Sequence, residues 1–185
     1  MNRKACLALS TLAAGFLCVT PFCVTPAHAE NSANQAKVSQ FLNKITKVNK
    51  EQEALAGQVI SKASNNLPLK TYANTVNWDD KANQEAVNKL AAEKNIQLTP
   101  NAEVPQAKTG LMSMAGSQFA TSYIDAEVKD QTKALDSYKK AEREFQGDPH
   151  LEMYIKESIP MVEGHVKTAK LLQQHMQQKT AANSQ

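Results

Sequence analysis

From Val38 onward, apolar residues recur in steps of three, four or seven: Val38, Phe41, Ile45, Val48, Leu55 and Val59. A helix gathers residues at those spacings onto one face, whereas a strand requires strict alternation, so the segment is committed to an amphipathic helix. The pattern returns three more times. Leu69, Tyr72, Ala73, Val76, Val87 and Leu90 form a second stripe, and Phe119, Tyr123, Ala134, Tyr138, Ala141 and Phe145 a third. Leu151, Ile155, Val162, Val166, Ala169, Leu172 and Met176 form the fourth. Strand signals are nearly absent, and Ala, Gln, Lys, Glu and Leu, all good helix formers, dominate the composition.

Breakers divide the stripes. The first helix is expected over residues 33–64, ended by Asn65-Asn66 and Pro68, and the second over 68–95. Residues 96–108, with Pro100 and Pro105, read as one long connection, and a short apolar turn from Leu111 to Ala115 leads into a third helix over 117–145. Gly147-Asp148-Pro149 is the sharpest boundary: glycine ends one helix, aspartate caps the next, and proline takes its first position. The fourth helix is expected to run to about residue 178 and to kink at Pro160, whose ring removes a backbone donor. An all-α, antiparallel four-helix bundle over residues 30–179, with a frayed tail at 180–185, buries four such stripes most economically.

The start of the chain has a different character. Arg3 and Lys4 precede an apolar run from Ala5 to about Val19, and the segment ends in Ala27-His28-Ala29. A basic start, a short apolar run and an A-x-A end are the features of a cleaved secretory signal peptide, expected here over residues 1–29. Cys6, Cys18 and Cys23, all three cysteines of the chain, fall inside it, so no thiol or disulfide is expected in the mature protein. Leu17 and Phe22 precede Cys18 and Cys23, where a lipid-anchored protein needs a small residue. No later run approaches membrane-spanning length, so the expected location is a bacterial periplasm. The net charge of the whole chain is +3, of which Arg3 and Lys4 supply two, so nothing in the charge favours nucleic acid as a partner.

Polar residues interrupt every stripe near its middle. Gln52, with Glu53 beside it, falls on the step from Ile45 to Val59, and Asp80 on the step from Ala73 to Val87. Glu127 and Gln131 fill the turns between Tyr123 and Ala134, and Ser158 and His165 lie on the step from Leu151 to Leu172. Leaving several polar groups buried without partners would cost about 1–3 kcal/mol each, so mutual hydrogen bonds, water or a metal ion must meet them. Carboxylates and histidines in a bundle core are how di-iron and di-manganese proteins build their centres, and Glu53, Asp80, Glu127 and His165 are the candidate metal ligands here, with iron or manganese as the candidate ion. The paired Glu-x-x-His motif of such centres is missing, and the alternative is a set of structural hydrogen bonds in which Asp80 is the expected partner of His165.

Other chemistry finds less support. His150 and His175 are read as solvated helix ends, and Met112, Met114, Met153, Met161 and Met176 as flexible core packing rather than thioether ligands of copper(I). Trp78 is read as ordinary surface or seam material. A Gly-rich phosphate loop, a zinc helix motif and a G-x-S-x-G nucleophile elbow are all absent.

The third and fourth segments carry a more specific pattern. Ser117 to Ile124, Val128-Lys129-Asp130-Gln131, Gly147-Asp148-Pro149, Ile159-Pro160 and His165 together resemble the bacterial secreted family called domain of unknown function four-one-four-two. Phe41, Glu53, Gly57, Tyr72-Ala73, Asp79-Asp80 and Leu98-Thr99-Pro100 extend the resemblance to the first half. The resemblance implies a ferritin-like four-helix bundle and a place in the bacterial envelope. Asp80 and Gln131 stand where the family usually has histidine, which leaves His165 as the one histidine of three. Two functions follow as expectations: a non-catalytic periplasmic bundle acting in interaction or envelope stress, with an envelope protein as partner, and a metal-binding bundle with oxidase activity.

Overall fold

The computed structural model describes residues 26–63, 65–99, 110–111 and 113–182. Four helices account for most of them: α1 (Pro26–Lys62), α2 (Leu67–Glu93), α3 (Gly116–Glu144) and α4 (Pro149–Ala182). No strand occurs among the described residues, so the chain is all-helical as the spacing predicts. Up to residue 25 the expected signal segment lies outside the described residues, and α1 already begins at Pro26. At the other end α4 continues through Ala182, beyond the expected stop.

The boundaries form for local reasons. Asn66 caps α2, its side-chain Oδ1 accepting from the Leu69 N–H at 3.2 Å, with Pro68 in the first turn. Gly147 adopts φ +95°, a conformation that favours glycine, and Asp148 then accepts from the Leu151 N–H at 3.2 Å to open α4. At the end of α2 the chain turns through Asn95 at φ +53°, and the Ile96 N–H bonds back to the Ala91 carbonyl at 2.8 Å. Pro160 lies inside α4, which continues on both sides of it.

Two apolar clusters hold the helices together. The first combines Val38, Phe41, Leu42 and Ile45 of α1 with Val87 and Leu90 of α2, Ala134, Tyr138 and Ala141 of α3, and Leu151 and Ile155 of α4. Phe41 and Tyr138 meet edge to face at 5.8 Å within it, and Phe145 packs on Phe41 at 5.6 Å. The second cluster joins Leu55 and Val59, Leu69 and Val76, Phe119, Tyr123 and Ile124, and Ala169. Each fully buried aliphatic side chain contributes about 1.5–3 kcal/mol.

Early α1 and late α2 therefore share one cluster, and late α1 and early α2 share the other. α1 packs on α2, α3 on α4, and α2 on α4, while α1 and α3 meet at few points. A groove of about 450 Å³ runs between those two, floored by Ile45, Val48 and Ala134. The connection after α2 starts against the first cluster through Ile96 and Leu98 and arrives beside the second through Met114.

Candidate functional site: a buried polar belt

Between the two clusters every helix passes through buried polar residues: Thr46, Asn49 and Gln52; Asp80, Asn83 and Gln84; Glu127 and Gln131; Ser158 and His165. The hydrophobic steps that place apolar residues in the two clusters also turn these residues inward. Most of them fall into three hydrogen-bonded groups, and His165 makes a separate contact with Asp79.

Gln84 is the hub of the first group. Its Nε2 donates to Asn88 Oδ1 at 2.9 Å and to Thr46 Oγ1 at 3.3 Å, while its Oε1 accepts from Asn49 Nδ2 at 3.3 Å. The second group is a closed ring across three helices. Asn83 Nδ2 donates to Tyr138 Oη at 2.8 Å, Tyr138 and Tyr154 hydroxyls lie 2.8 Å apart, and Tyr154 Oη donates back to Asn83 Oδ1. All three contacts are satisfied when Tyr138 donates to Tyr154. Burial pushes both phenols above the ordinary tyrosine value, so both stay protonated and able to donate.

The third group surrounds Glu127, which is fully buried. Its Oε2 accepts from Tyr72 Oη at 3.2 Å and from Gln131 Nε2 at 3.4 Å. Burial and then the Glu127 charge raise the Tyr72 phenol, and burial followed by the Glu127 charge, with Tyr72 and Asp80 as further neighbours, raises Tyr123. Asp80, itself buried, also acts on Tyr138, so its carboxylate sits among the core tyrosines. The remaining contact runs from His165 Nε2 to Asp79 Oδ2 at 2.8 Å. Successive helix residues are about 100° apart in direction, and Asp79 is the one whose carboxylate meets the imidazole from the half-exposed edge of α2. The structure thus gives His165 the neighbour of the expected Asp80 on this nitrogen. His165 Nδ1 and Tyr123 Oη are buried with no hydrogen-bond partner among the described residues.

Three of the four candidate ligands, Asp80, Glu127 and His165, lie in the belt. Glu53 does not share their setting. It is one-third exposed and pairs with Lys50 at 3.0 Å and Lys81 at 3.9 Å, lining an open groove on the outside of α1 and α2 with Gln58 and Ser61. Among the described residues, no three His, Cys, Asp or Glu side chains are placed to hold one metal ion. The ring of Asn83, Tyr138 and Tyr154 does not show in the stripe pattern, where Tyr138 is a seam residue. A buried tyrosine hydroxyl needs a polar neighbour, and that need was the available signal.

The site and the fold define a class: an all-helical protein with two apolar clusters separated by a polar belt. Residues 23–172 match the model of the domain of unknown function DUF4142, and the chain belongs to that family. No curated protein and no solved structure matches it. Among the described residues, no helix is long and apolar enough to cross a membrane.

Proposed function

We propose that the chain is a non-catalytic periplasmic protein, an antiparallel four-helix bundle of the ferritin-like kind that acts through its surface on another protein of the bacterial envelope. The observation that carries this reading is that the belt's polar groups bond mainly to one another, with Asn83, Tyr138 and Tyr154 in a closed ring and Gln84 serving three partners. Such a network gives the core one alignment of its helices instead of presenting groups to a substrate. The bundle arrangement is supported by paired contacts. Residue numbers run oppositely in α1 and α2 (Gln35 with Lys94, Asn49 with Gln84) and in α3 and α4 (Asp125 with Gln173, Lys139 with Glu163). They rise together in α2 and α3 (Tyr72 with Glu127, Asn83 with Tyr138), which a single long crossover between those helices requires. Export is supported by Arg3, Lys4, the apolar run and Ala27-His28-Ala29.

Fractionation of bacteria producing the full chain, with N-terminal sequencing of the recovered protein, tests the location; a periplasmic protein starting at Glu30 is expected, and an uncleaved cytoplasmic one overturns it. Loading with iron(II) or manganese(II), dialysis and elemental analysis test the role of the belt. Failure to retain a stoichiometric ion is the expected outcome.

The second reading is a degenerate metal centre in the belt, for which Asp80, Glu127 and His165 would have to draw together from the positions they hold here; the buried Tyr123 Oη and His165 Nδ1, unbonded among the described residues, which a water or cation would satisfy, favour it. Iron or manganese held there would supply redox chemistry. Glu53, held at the surface by two lysines, does not fit that set. Stoichiometric iron or manganese in the parent, lost in His165→Ala, would establish this reading in place of the first.

A further inference from the structure

Away from the belt, α4 carries a second histidine whose surroundings differ from those of a plain solvated helix end. Glu93 Oε2 of α2 lies 3.0 Å from His150 Nδ1. A carboxylate only accepts, so this contact puts the proton on Nδ1 and leaves Nε2 of the neutral ring with its lone pair available. Met153 follows one turn later on the same helix. Far from packing in the core, as its spacing predicts, it is 57% exposed, one of the few large apolar side chains on the surface. Residues three apart on a helix have Cβ atoms about 5–6 Å apart, so the imidazole and the thioether stand as neighbours on one face of α4. His150, Met153, Glu93 and Glu157 line a groove of about 330 Å³ between α2 and α4, with Leu90 and Lys89 among its walls. Two carboxylates against one ammonium favour a cation there.

We propose that this groove binds one copper(I) ion through His150 Nε2 and Met153 Sδ, with Glu93 as the residue that positions the imidazole. The ligand pair selects the metal. A thioether is a poor donor to magnesium, manganese or zinc and a good one to copper(I), which is also content with few ligands. Glu93 acts as the outer carboxylate of a carboxylate–histidine–metal arrangement, fixing the tautomer and raising the basicity of the ligating nitrogen. The site is separate from the belt and stands whether or not the belt holds an ion.

Anaerobic titration of the purified full chain, carrying Cys6→Ser, Cys18→Ser and Cys23→Ser so that no thiol competes, with copper(I) against the chromogenic chelator bicinchoninate tests it. One equivalent is expected to be withdrawn from the chelator, His150→Gln and Met153→Leu each losing at least about tenfold in affinity and Glu93→Gln about tenfold. All three side chains are on the surface, and far-UV circular dichroism verifies the fold of each variant. Silver(I), a redox-inert substitute for copper(I), added to the same thiol-free chain with His150, Met153 and Glu93 intact and carrying ¹³C-methyl methionine, is expected to shift the Met153 methyl resonance first. Copper left with the chelator, equal affinity in Met153→Leu, or a first shift at Met114, Met161 or Met176 would overturn the proposal.

Discussion

His165 and Asp79 form a pair of unequal exposure: the imidazole is buried at 4% while the carboxylate that meets its Nε2 at 2.8 Å is 40% exposed. The contact joins α4 to α2 at the edge of the polar belt. Removing the carboxylate leaves a buried ring nitrogen without its partner. Asp79→Ala is therefore expected to destabilise the fold by about 1–3 kcal/mol, read as a lower urea midpoint at unchanged slope. Asp79→Asn keeps an acceptor oxygen in place and should lose less. Equal midpoints for Asp79→Ala and the parent would show that the contact contributes nothing.

The ring of Asn83, Tyr138 and Tyr154 makes a prediction about additivity. Tyr154→Phe strands Asn83 Oδ1, and Asn83→Ala takes the acceptor from the Tyr154 hydroxyl and a donor from Tyr138, so each single change is expected to cost about 1–3 kcal/mol. Since both act on the same closed ring, the double variant should cost less than the sum, with a coupling of about 0.5–3 kcal/mol in a double-mutant cycle. Strict additivity would mean that the three groups do not act together.

Tyr72 and Tyr123 are both buried phenols near Glu127, yet only Tyr72 has a hydrogen bond to it. Tyr72→Phe deprives a fully buried carboxylate of a donor and is expected to destabilise by about 1.5–3 kcal/mol. Tyr123→Phe removes a hydroxyl that has no partner among the described residues and is expected to be neutral or slightly stabilising. A large loss of stability in Tyr123→Phe would instead reveal a bound water or ion at the centre, and so would favour the metal-centre reading.

Acid stability should depend on the junction of α3 and α4. Burial by itself would raise the Asp148 carboxyl, but the Lys94 ammonium and the Leu151 N–H outweigh it and hold the group below its ordinary value of 3.8. The Gly147 N–H and then Lys156 lower Glu152 in the same way. A depressed carboxylate favours the folded state above its unfolded value, and that contribution disappears as pH falls through the folded value. Asp148→Asn keeps a capping oxygen but no charge. The urea midpoints of parent and variant are expected to differ at pH 7 and to converge well below pH 3.8; a constant gap would remove charge as the cause.

Much of the fold was legible because it rests on local rules. Gly147-Asp148-Pro149 marked the start of α4 to the residue, since a positive φ, a capping side chain and a missing N–H each act within one turn. The stripes around Ile45, Leu69, Tyr123 and Ile155 point inward for the same reason. Less of the candidate site was legible. Gln52, Asp80, Glu127, Gln131 and His165 were found as interruptions of those stripes, and all are buried. Glu53 is the neighbour of Gln52 in sequence, but one residue along a helix is a large change of direction, and its carboxylate meets Lys50 and Lys81 outside. Met153 shows the same limit from the other side: helical spacing suggested core, and the face it occupies is exposed.

The sequence by itself determined that this chain is helical, where its helices break, and that each carries a polar interruption near its middle, because periodicity and capping are properties of neighbouring residues. Tertiary structure alone decided which polar groups meet: Asp79 with His165, Asn83 with Tyr138 and Tyr154, Glu93 with His150. Those pairings depend on how far each helix is rotated about its own axis and slid along its neighbour, and only the packing of the two apolar clusters sets both.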